Sequence, residues 1–437
     1  RYKLHDLLRV YAGSLAADDE TGAEQAMRQV LDYYLYTAAT ADAHMTVWAA
    51  PTLTVTLHTP THRPDLDTPR RARAWADAEL TTLATCLDHA TAHPELVVAL
   101  SATLHNYLRG SDSWDQALHI HHTALAAAER TDDRPGQATA LANLGRIYYL
   151  RGDWENAQRV LDRAVQLFTD LGSRSGQATA LSDLGNVYRL PGDYERAQEI
   201  TDRALDLFID VGDRHGQANA IAGLGRLYYL RGDWERAEHT LDHALQLVND
   251  LGDRRGQANT FQFLGHLYYL RRDWERAQHA LGRALQLWTD FGSRRGQALA
   301  LVDLGRVCHQ QGAYDQALYL LTQAHALFTA IGDGDGQLDT LNSIGDLALD
   351  HPPAGDPHAL FDQAHTLART VGAAVHEAHA LAGLGRCAQR VHDVPTATAA
   401  FTQALTICQR LGSPEIASIN GYLADLRHDA DQHAEPK

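Results

Sequence analysis

The segment 136–175, GQATALANLGRIYYLRGDWENAQRVLDRAVQLFTDLGSRS, decides the fold, because close variants of it follow one another along the chain. The tripeptide Gly-Gln-Ala recurs every 40 residues, beginning at residues 136, 176, 216, 256 and 296, and Gly336-Gln337 retains part of it. A Leu-Gly or Ile-Gly pair follows with the same period: Leu144-Gly145, Leu184-Gly185, Leu224-Gly225, Leu264-Gly265, Leu304-Gly305, Ile344-Gly345 and Leu384-Gly385. A fixed period of about 20–50 residues indicates a repeat architecture.

Each repeat contains two stretches with apolar residues at three- and four-residue spacing, which predicts a pair of amphipathic helices. Gly152-Asp153 separates the two stretches, and Asp153 is a suitable N-cap for the second helix. Leu171-Gly172 ends that helix, with Gly172 in the left-handed C-cap conformation. Because one pair cannot bury its apolar stripe alone, the pairs must stack into a solenoid with a concave inner face.

This pattern resembles the tetratricopeptide repeat, whose signature places are taken in the quoted segment by Leu144, Gly145, Tyr148, Ala157, Leu161 and Ala164. That family's usual period is about 34 residues, and the longer form found in Leu-Gly-Asn-type scaffold proteins has about 40; Leu184-Gly185-Asn186 spells that signature here. The resemblance implies an all-α, right-handed superhelical solenoid of tetratricopeptide helical hairpins over residues 96–428. We expect a cap helix from Ile416 to about Arg427 and a disordered tail over residues 429–437.

The N-terminal string RYKLHDLLRVYA, residues 1–12, resembles the Met-His-Asp motif that closes the nucleotide-binding module of STAND-type ATPases. The resemblance implies that His5 contacts a bound nucleotide in the intact protein, and that residues 1–50 are a small helical remnant of the winged-helix and ATPase module. A histidine that merely begins a helix is the alternative. The chain contains no GxxxxGK[ST] phosphate loop, so the ATPase itself would lie upstream of Arg1.

The segment 74–80, AWADAEL, resembles the helix that joins this module to the repeats in actinobacterial AfsR-like regulators of the NB-ARC type. We therefore expect a connecting helix over residues 70–95. Prolines and threonines are frequent in residues 51–69, which predicts a non-helical linker there.

Charge and composition narrow the expected partners. The chain carries 38 Lys and Arg against 55 Asp and Glu, a formal net charge of −17, which disfavours direct binding to nucleic acid. No run of about 18 apolar residues is present, so we predict no membrane partner. The four cysteines are widely spaced without a CxxC pair, which fits a reduced cytoplasm and predicts a cytoplasmic protein.

The sequence contains no HExxH or GxSxG pattern, and we predict neither an enzyme nor a cofactor or metal site. The histidines of one short helix are interpreted as surface residues, and three cysteines as buried structural thiols. These residues are His119, His121 and His122, and Cys308, Cys387 and Cys408.

The sixth full repeat departs from the pattern at two places. The segment 333–336, DGDG, lacks the further oxygen ligands of a calcium loop, and we interpret it as a flexible hinge between repeats. Prolines at positions 352, 353 and 357 predict that the second helix of this repeat begins late, near Asp356, because proline is tolerated only in the first turn of a helix.

The first helix of each tetratricopeptide hairpin lines the concave groove, and two of its positions are rich in Arg and Tyr. Arg and Tyr offer hydrogen-bond donors and planar surface at low entropic cost. We predict that they bind a partner that bears carboxylates, and the alternative is solvated residues or intramolecular ion pairs with Asp183 and Asp303. The predicted partner-binding residues are Arg146, Tyr149, Arg189, Arg226, Tyr229, Tyr269, Arg306 and Arg386.

Two functions are consistent with these observations. The first is a sensor and autoinhibitory repeat domain of a STAND-type signalling or transcriptional regulator, which binds a protein or peptide ligand and its own upstream ATPase domain. The second is a stand-alone adaptor scaffold that assembles other proteins.

Overall fold

The computed structural model describes residues 20–45, 55–56, 59–61, 63–110, 113–189, 193–411, 413 and 415–434. These ranges contain 19 α-helices, one short 3-10 helix and no strand, which confirms the predicted all-α class. The chain divides into two compact units, residues 1–148 with 155–177, and residues 149–154 with 178–437. The motif at residues 1–12, with His5, lies outside the described residues.

The helices of the first part of the chain are α1 Glu20–Met45, α2 Pro69–His89, α3 Pro94–Gly110, α4 Trp114–Arg130, α5 Arg134–Arg151 and α6 Trp154–Asp170. In the first unit α1 packs against α2 and α3, and α3 packs against α4. The expected single helix over residues 70–95 is divided, since α2 ends at His89 and Pro94 begins α3.

The second unit is built mainly from pairs of helices that repeat the same packing. The first helices of its pairs are α7 Arg174–Arg189, α9 Arg214–Leu230, α11 Arg254–Leu270, α13 Arg294–Gln310, α15 Gly334–Asp350 and α17 Ala374–Arg390. The second helices are α8 Tyr194–Asp210, α10 Trp234–Asp250, α12 Trp274–Phe291, α14 Tyr314–Ile331, α16 Pro357–Val371 and α18 Val394–Leu411, and α19 Ile416–Ala434 follows them.

The Leu-Gly pair is explained by close approach of the two helices of one hairpin. A Cβ atom on Gly225 of α9 would lie 2.7 Å from Cγ of Leu241 on α10, and one on Gly265 of α11 would lie 2.5 Å from Cγ of Leu281 on α12. Only glycine leaves room at this crossing, because the leucine side chain fills the space that a Cβ would occupy.

The Gly-Gln-Ala tripeptide performs a different task, at the contact between consecutive hairpins. A Cβ on Gly216 would lie 2.2 Å from the ring of Phe208, the residue that ends the packed stripe of α8. The next residue, Gln217, donates its side-chain N–H to the carbonyl oxygen of Phe208 at 3.1 Å. The same carbonyl accepts from the backbone N–H of Asp213 at 2.9 Å, so the glutamine adds a second hydrogen bond at the end of α8. Asp213 caps α9 in turn by accepting from the backbone N–H of Gly216 at 3.0 Å.

The predicted hinge at residues 333–336 is wrong, because these residues form the beginning of α15. Asp333 is almost completely buried, accepts from the backbone N–H of Gly336 at 2.9 Å, and lies 3.0 Å from the guanidinium of Arg295. Gly336 is required by the ring of Phe328, which a Cβ would approach to 2.2 Å. The glycine thus provides clearance for packing and not flexibility.

The late start of the next helix is confirmed. A 3-10 helix spans Pro352–Ala354, and α16 begins at Pro357 with Asp356 as its N-cap, whose side chain accepts from the backbone N–H of His358 at 3.1 Å. At the end of the chain, α19 continues to Ala434, beyond the predicted end near Arg427. The first proline after Arg427 is Pro436, so no helix breaker stands before Ala434.

Two expectations about single residues also change. His121 is fully buried, lies 2.8 Å from the hydroxyl of Ser101, and has its pKa lowered to about 3 by burial, so it is a core residue and not a surface residue. Cys308 and Cys408 are buried as predicted, but Cys387 is only half-buried.

Candidate functional site

The first helices of consecutive pairs touch one another in the second unit: α9 packs against α11, α11 against α13, α13 against α15, and α15 against α17. A side chain on one of them therefore reaches residues about one repeat away. Nη2 of Arg189 donates to the hydroxyl of Tyr149 at 3.2 Å, and Nη2 of Arg386 donates to Oδ1 of Asp346, in both cases 40 positions along the chain. We call the surface that these helices share the first-helix face.

A cavity of about 680 Å³ lies on this face. Three of the predicted partner-binding residues contribute to its wall, namely Tyr269, Arg306 and Arg386. The wall also holds acidic and histidine side chains that the sequence analysis did not select: Asp339, Asp346, Asp350, Glu415, His309, His376 and His379.

Arg306 is held inside this wall by acids from its own and the next first helix. Its Nη2 lies 2.5 Å from Oδ1 of Asp339, its Nε donates to the hydroxyl of Ser343 at 3.1 Å, and its Nη1 lies 3.7 Å from Oδ1 of Asp303. Burial lowers the pKa of Arg306, but the charges of Asp339 and Asp303 outweigh it and raise that pKa. Arg306 therefore carries its full positive charge, and the carboxylates of Asp339 and Asp303 already balance that charge.

Asp346 has two cationic partners. It accepts from Nε2 of His379 at 2.9 Å and from Arg386, and Glu415 lies 3.6 Å from the other ring nitrogen of His379. Burial lowers the pKa of His379, but Asp346 and Glu415 reverse this effect and raise the pKa to about 10. The same contacts hold the pKa of Asp346 below its ordinary value against the effect of burial. His379 is therefore protonated at neutral pH.

His376 extends this network along α17. Its Nε2 lies 3.0 Å from Oδ1 of Asp335, and its pKa is raised although burial acts to lower it. The cavity wall is a set of interlocked cations and anions, and the contact between Arg306 and Asp303 corresponds to the intramolecular ion pair that the sequence analysis left open as an alternative. The signal in the sequence was Asp339 together with Asp346, which lie seven residues, or about two helical turns, apart on one helix.

Four other predicted residues form a second cluster on the first-helix face. Arg189 is 9 % exposed and contacts Tyr149, while Tyr229 is 4 % exposed. The guanidinium carbon of Arg226 lies 5.1 Å from the ring centre of Phe263 on α11, a cation–π contact. We call Arg189, Arg226, Tyr149 and Tyr229 the arginine–tyrosine cluster.

The structure does not bring all the predicted residues together. Arg146 is half-buried on α5 and belongs to the first unit, whereas the cavity and the arginine–tyrosine cluster belong to the second. In the described part of the chain, no three His, Cys, Asp or Glu side chains are grouped so that they could hold a metal ion. None of the described helices has an apolar stretch long enough to cross a bilayer.

Residues 96–170, 176–250, 217–290 and 255–330, together more than half of the chain, match the family model of the tetratricopeptide repeat. A search of curated protein sequences finds no match. Three solved structures share the fold at low sequence identity. A Rap protein complexed with Competence and Sporulation Factor has a TM-score of 0.61 at 12% identity, over 78% of this chain and 98% of that one.

The other two structures are similar over comparable lengths. The Rap conjugation gene regulator of the plasmid pLS20, in complex with the Phr* peptide, has a TM-score of 0.55 at 14% identity, over 77% of this chain and 98% of that one. The apo form of the quorum sensor NprR from B. thuringiensis has a TM-score of 0.55 at 12% identity, over 88% of this chain and 99% of that one.

Proposed function

The chain belongs to the tetratricopeptide repeat family, and we propose that it binds a peptide or an extended protein segment on its first-helix face. The observation that carries the proposal is the cavity of about 680 Å³, whose wall includes side chains of four of these helices and Tyr422 of α19. Concave sites of about 300–1,000 Å³ with a few convergent polar groups are typical of ligand sites. Two proteins of the same fold were solved with Competence and Sporulation Factor and with the Phr* peptide, which supports a peptide as the ligand class.

The internal charge pairs of the cavity define what it can recognise. Arg306, Arg386 and His379 already contact acids, so a ligand meets alternating positive and negative groups and not a uniformly basic surface. Tyr269 and Tyr422 add apolar ring surface with a polar tip. A ligand that combines polar backbone, apolar side chains and both signs of charge, as a peptide does, fits this wall.

The role in a larger protein is inferred from the N-terminal sequence. The resemblance of residues 1–12 to the end of a STAND-type ATPase module supports a sensor and autoinhibitory domain in a signalling or transcriptional regulator. In that role the ligand and the upstream ATPase domain would each bind the repeats. A stand-alone adaptor scaffold is the second candidate, favoured by the Leu-Gly-Asn-like repeat, and the gene sequence upstream of Arg1 distinguishes them, since only the regulator requires a phosphate-binding loop there.

The binding proposal is tested with an array of short synthetic peptides of systematically varied sequence, incubated with the purified chain. Val375 lines the cavity and is half-buried, so Val375→Trp should fill part of it and reduce binding of the selected peptides more than tenfold. Val391→Trp is the matched control, because Val391 is 74 % exposed outside the cavity. Equal losses in both variants, or no selected peptide at all, would reject the cavity as the ligand site.

A further inference from the structure

The arginine–tyrosine cluster holds two cations without an acidic partner. Arg189 is buried, and its Nη2 has only a phenol oxygen, that of Tyr149, as acceptor. Arg226 faces the ring of Phe263 and the phenols of Tyr149 and Tyr229. Among the described residues, neither Arg189 nor Arg226 has a carboxylate at ion-pair distance, and Nε of each is buried without an acceptor.

The two guanidiniums also act on each other. Burial and then the nearby charge of Arg226 lower the pKa of Arg189, whereas burial lowers the pKa of Arg226 but Tyr229 and Tyr149 outweigh this effect and raise it. The negative charge of Asp303 raises the pKa of Tyr229 in this cluster. That acid is engaged elsewhere, since it accepts from the side-chain amide of Gln262 at 3.3 Å and lies 3.7 Å from Arg306.

The guanidinium groups of Arg189 and Arg226 are donors of the kind that bind oxyanions. A guanidinium presents its N–H groups in a planar fork that matches carboxylate and phosphoryl oxygens, and the phenol hydroxyls of Tyr149 and Tyr229 can donate as well. A buried charge without a counter-ion is unfavourable. An anion that binds here would supply the negative charge that the protein itself does not provide. Two cations are balanced by two negative charges.

We propose that Arg189 and Arg226 form an anion subsite that receives a dianionic oxyanion group of the ligand, either two neighbouring carboxylates or one phosphoryl group. This subsite rests on the proposed function, in that it fixes one end of a segment bound on the first-helix face. Tyr149 and Tyr229 complete the receptor. The cavity around Arg306 and Arg386 makes a separate contribution, because its cations are already paired.

The test measures thermal unfolding of the whole chain at low ionic strength, with inorganic phosphate, succinate or chloride added at equal ionic strength. A ligand that binds only the folded state raises the melting temperature. Phosphate, succinate or both should raise it more than chloride does, and titration calorimetry should show at least tenfold weaker binding in Arg189→Met and in Arg226→Met. Methionine keeps the apolar stem of the side chain and removes its charge.

The controls separate this site from others. Arg203→Met, at an exposed position of α8, should bind the anions like the unmodified chain. A response to phosphate alone assigns a phosphoryl group, and a response to succinate alone assigns paired carboxylates. If neither anion exceeds chloride, or if both methionine variants retain full anion binding, the subsite is disproved.

The same variants distinguish failure of the subsite from failure of the proposed function. Val375→Trp should keep its anion binding, because Val375 lies in the cavity wall. If peptides bind in a manner sensitive to Val375→Trp while phosphate and succinate have no effect, the proposed function stands and the anion subsite falls. If anions bind but no peptide does, the reverse holds.

Discussion

The first-helix face contains four of the predicted arginines, and their surroundings differ. Arg226, Arg306 and Arg386 share one position of the repeat, and Arg189 stands at the position of Tyr149. Arg306 and Arg386 each contact a carboxylate of α15, whereas Arg189 and Arg226 face phenols and an aromatic ring. The scaffold is the same in both places, because every pair of helices follows one packing pattern. The acids and aromatic rings around each arginine, most of them on neighbouring repeats, decide whether such a side chain is a structural cation or a binding group.

A single column of the repeat accounts for much of this difference. At the position of Asp339 the other repeats carry neutral residues or a histidine, namely Thr139, Thr179, Asn219, Asn259, Leu299 and His379. In this column α15 alone carries an acid, and Arg306 of the preceding first helix reaches it. A single aspartate in this column therefore gives Arg306 an internal ion-pair partner.

The largest expected effect comes from breaking the paired region. Arg306→Glu places a third acid beside Asp339 and Asp303, and the free energy of unfolding should fall by about 3 kcal/mol, the lower end for removal of one partner of a buried pair. We choose the lower end because the side chains of Arg306 and Asp339 are 26% and 28% exposed. Urea denaturation provides the measurement.

Two further variants control this experiment. Arg203→Glu changes an exposed arginine of α8 and should alter the free energy of unfolding by less than about 0.5 kcal/mol. Asp339→Arg combined with Arg306→Glu should recover part of the loss, as expected for two residues that interact. A single variant as stable as the unmodified chain would contradict the role of Arg306 as a structural cation.

A smaller effect tests whether the two regions share one scaffold. Gly216 in α9 and Gly296 in α13 both face an aromatic ring at distances that exclude a Cβ, 2.2 Å from Phe208 and 2.4 Å from Trp288. Gly216→Ala and Gly296→Ala should each lower the free energy of unfolding by about 1–3 kcal/mol through overpacking.

The matched control for these glycines is Gly282, which lies exposed inside α12 with nothing near its Cβ position. Gly282→Ala should raise the free energy of unfolding by up to about 1 kcal/mol, since alanine favours the helix. Clearly unequal losses of unfolding free energy in Gly216→Ala and Gly296→Ala would show that the packing of the two regions differs. Differences between the regions could then not be assigned to their charged side chains alone.

The pH dependence of stability should separate the regions further. His379 contacts Glu415 and Asp346, and Asp346 also contacts Arg386. The pKa of His379 is raised to about 10 in the folded chain, against about 6.5 in an unfolded chain. The folded state therefore holds the proton more tightly, and this contribution is complete below pH ~6.5 and is lost as the pH rises towards about 10.

The measurement is the melting temperature as a function of pH for the unmodified chain and for His379→Gln. Between about pH 6.5 and 10, the unmodified chain should lose more stability than the variant, and the two curves should converge at the alkaline end. Parallel curves would indicate that His379 does not hold its proton through this range.

The smallest effect on stability is expected in the arginine–tyrosine cluster when no ligand is bound. Arg189→Met removes a buried charge that has no acidic partner, so the free energy of unfolding should change by less than about 1 kcal/mol or increase, because an apolar residue replaces an uncompensated cation. A loss as large as that of Arg306→Glu would make Arg189 a structural residue like Arg306. The variants are compared in the same urea series.

The sequence by itself determined the fold class and the pairs of helices through its repeat periodicity, and the late start of α16 through its prolines. These features depend on local rules, such as the spacing of apolar residues, Asp at N-caps and proline in first turns, which act within one hairpin. The period also indicated which positions lie on the first-helix face, since equivalent residues of a repeat occupy equivalent places.

Only the tertiary structure decided what surrounds each of those positions. The sequence analysis predicted the same partner-binding role for Arg189, Arg226, Arg306 and Arg386, because a repeat pattern contains no information about which side chains of adjacent repeats touch. The same limitation made residues 333–336 look like a hinge, although Gly336 serves the ring of Phe328. Electrostatic environment and close packing depend on contacts between residues far apart in the chain, and those contacts arise only when the hairpins stack.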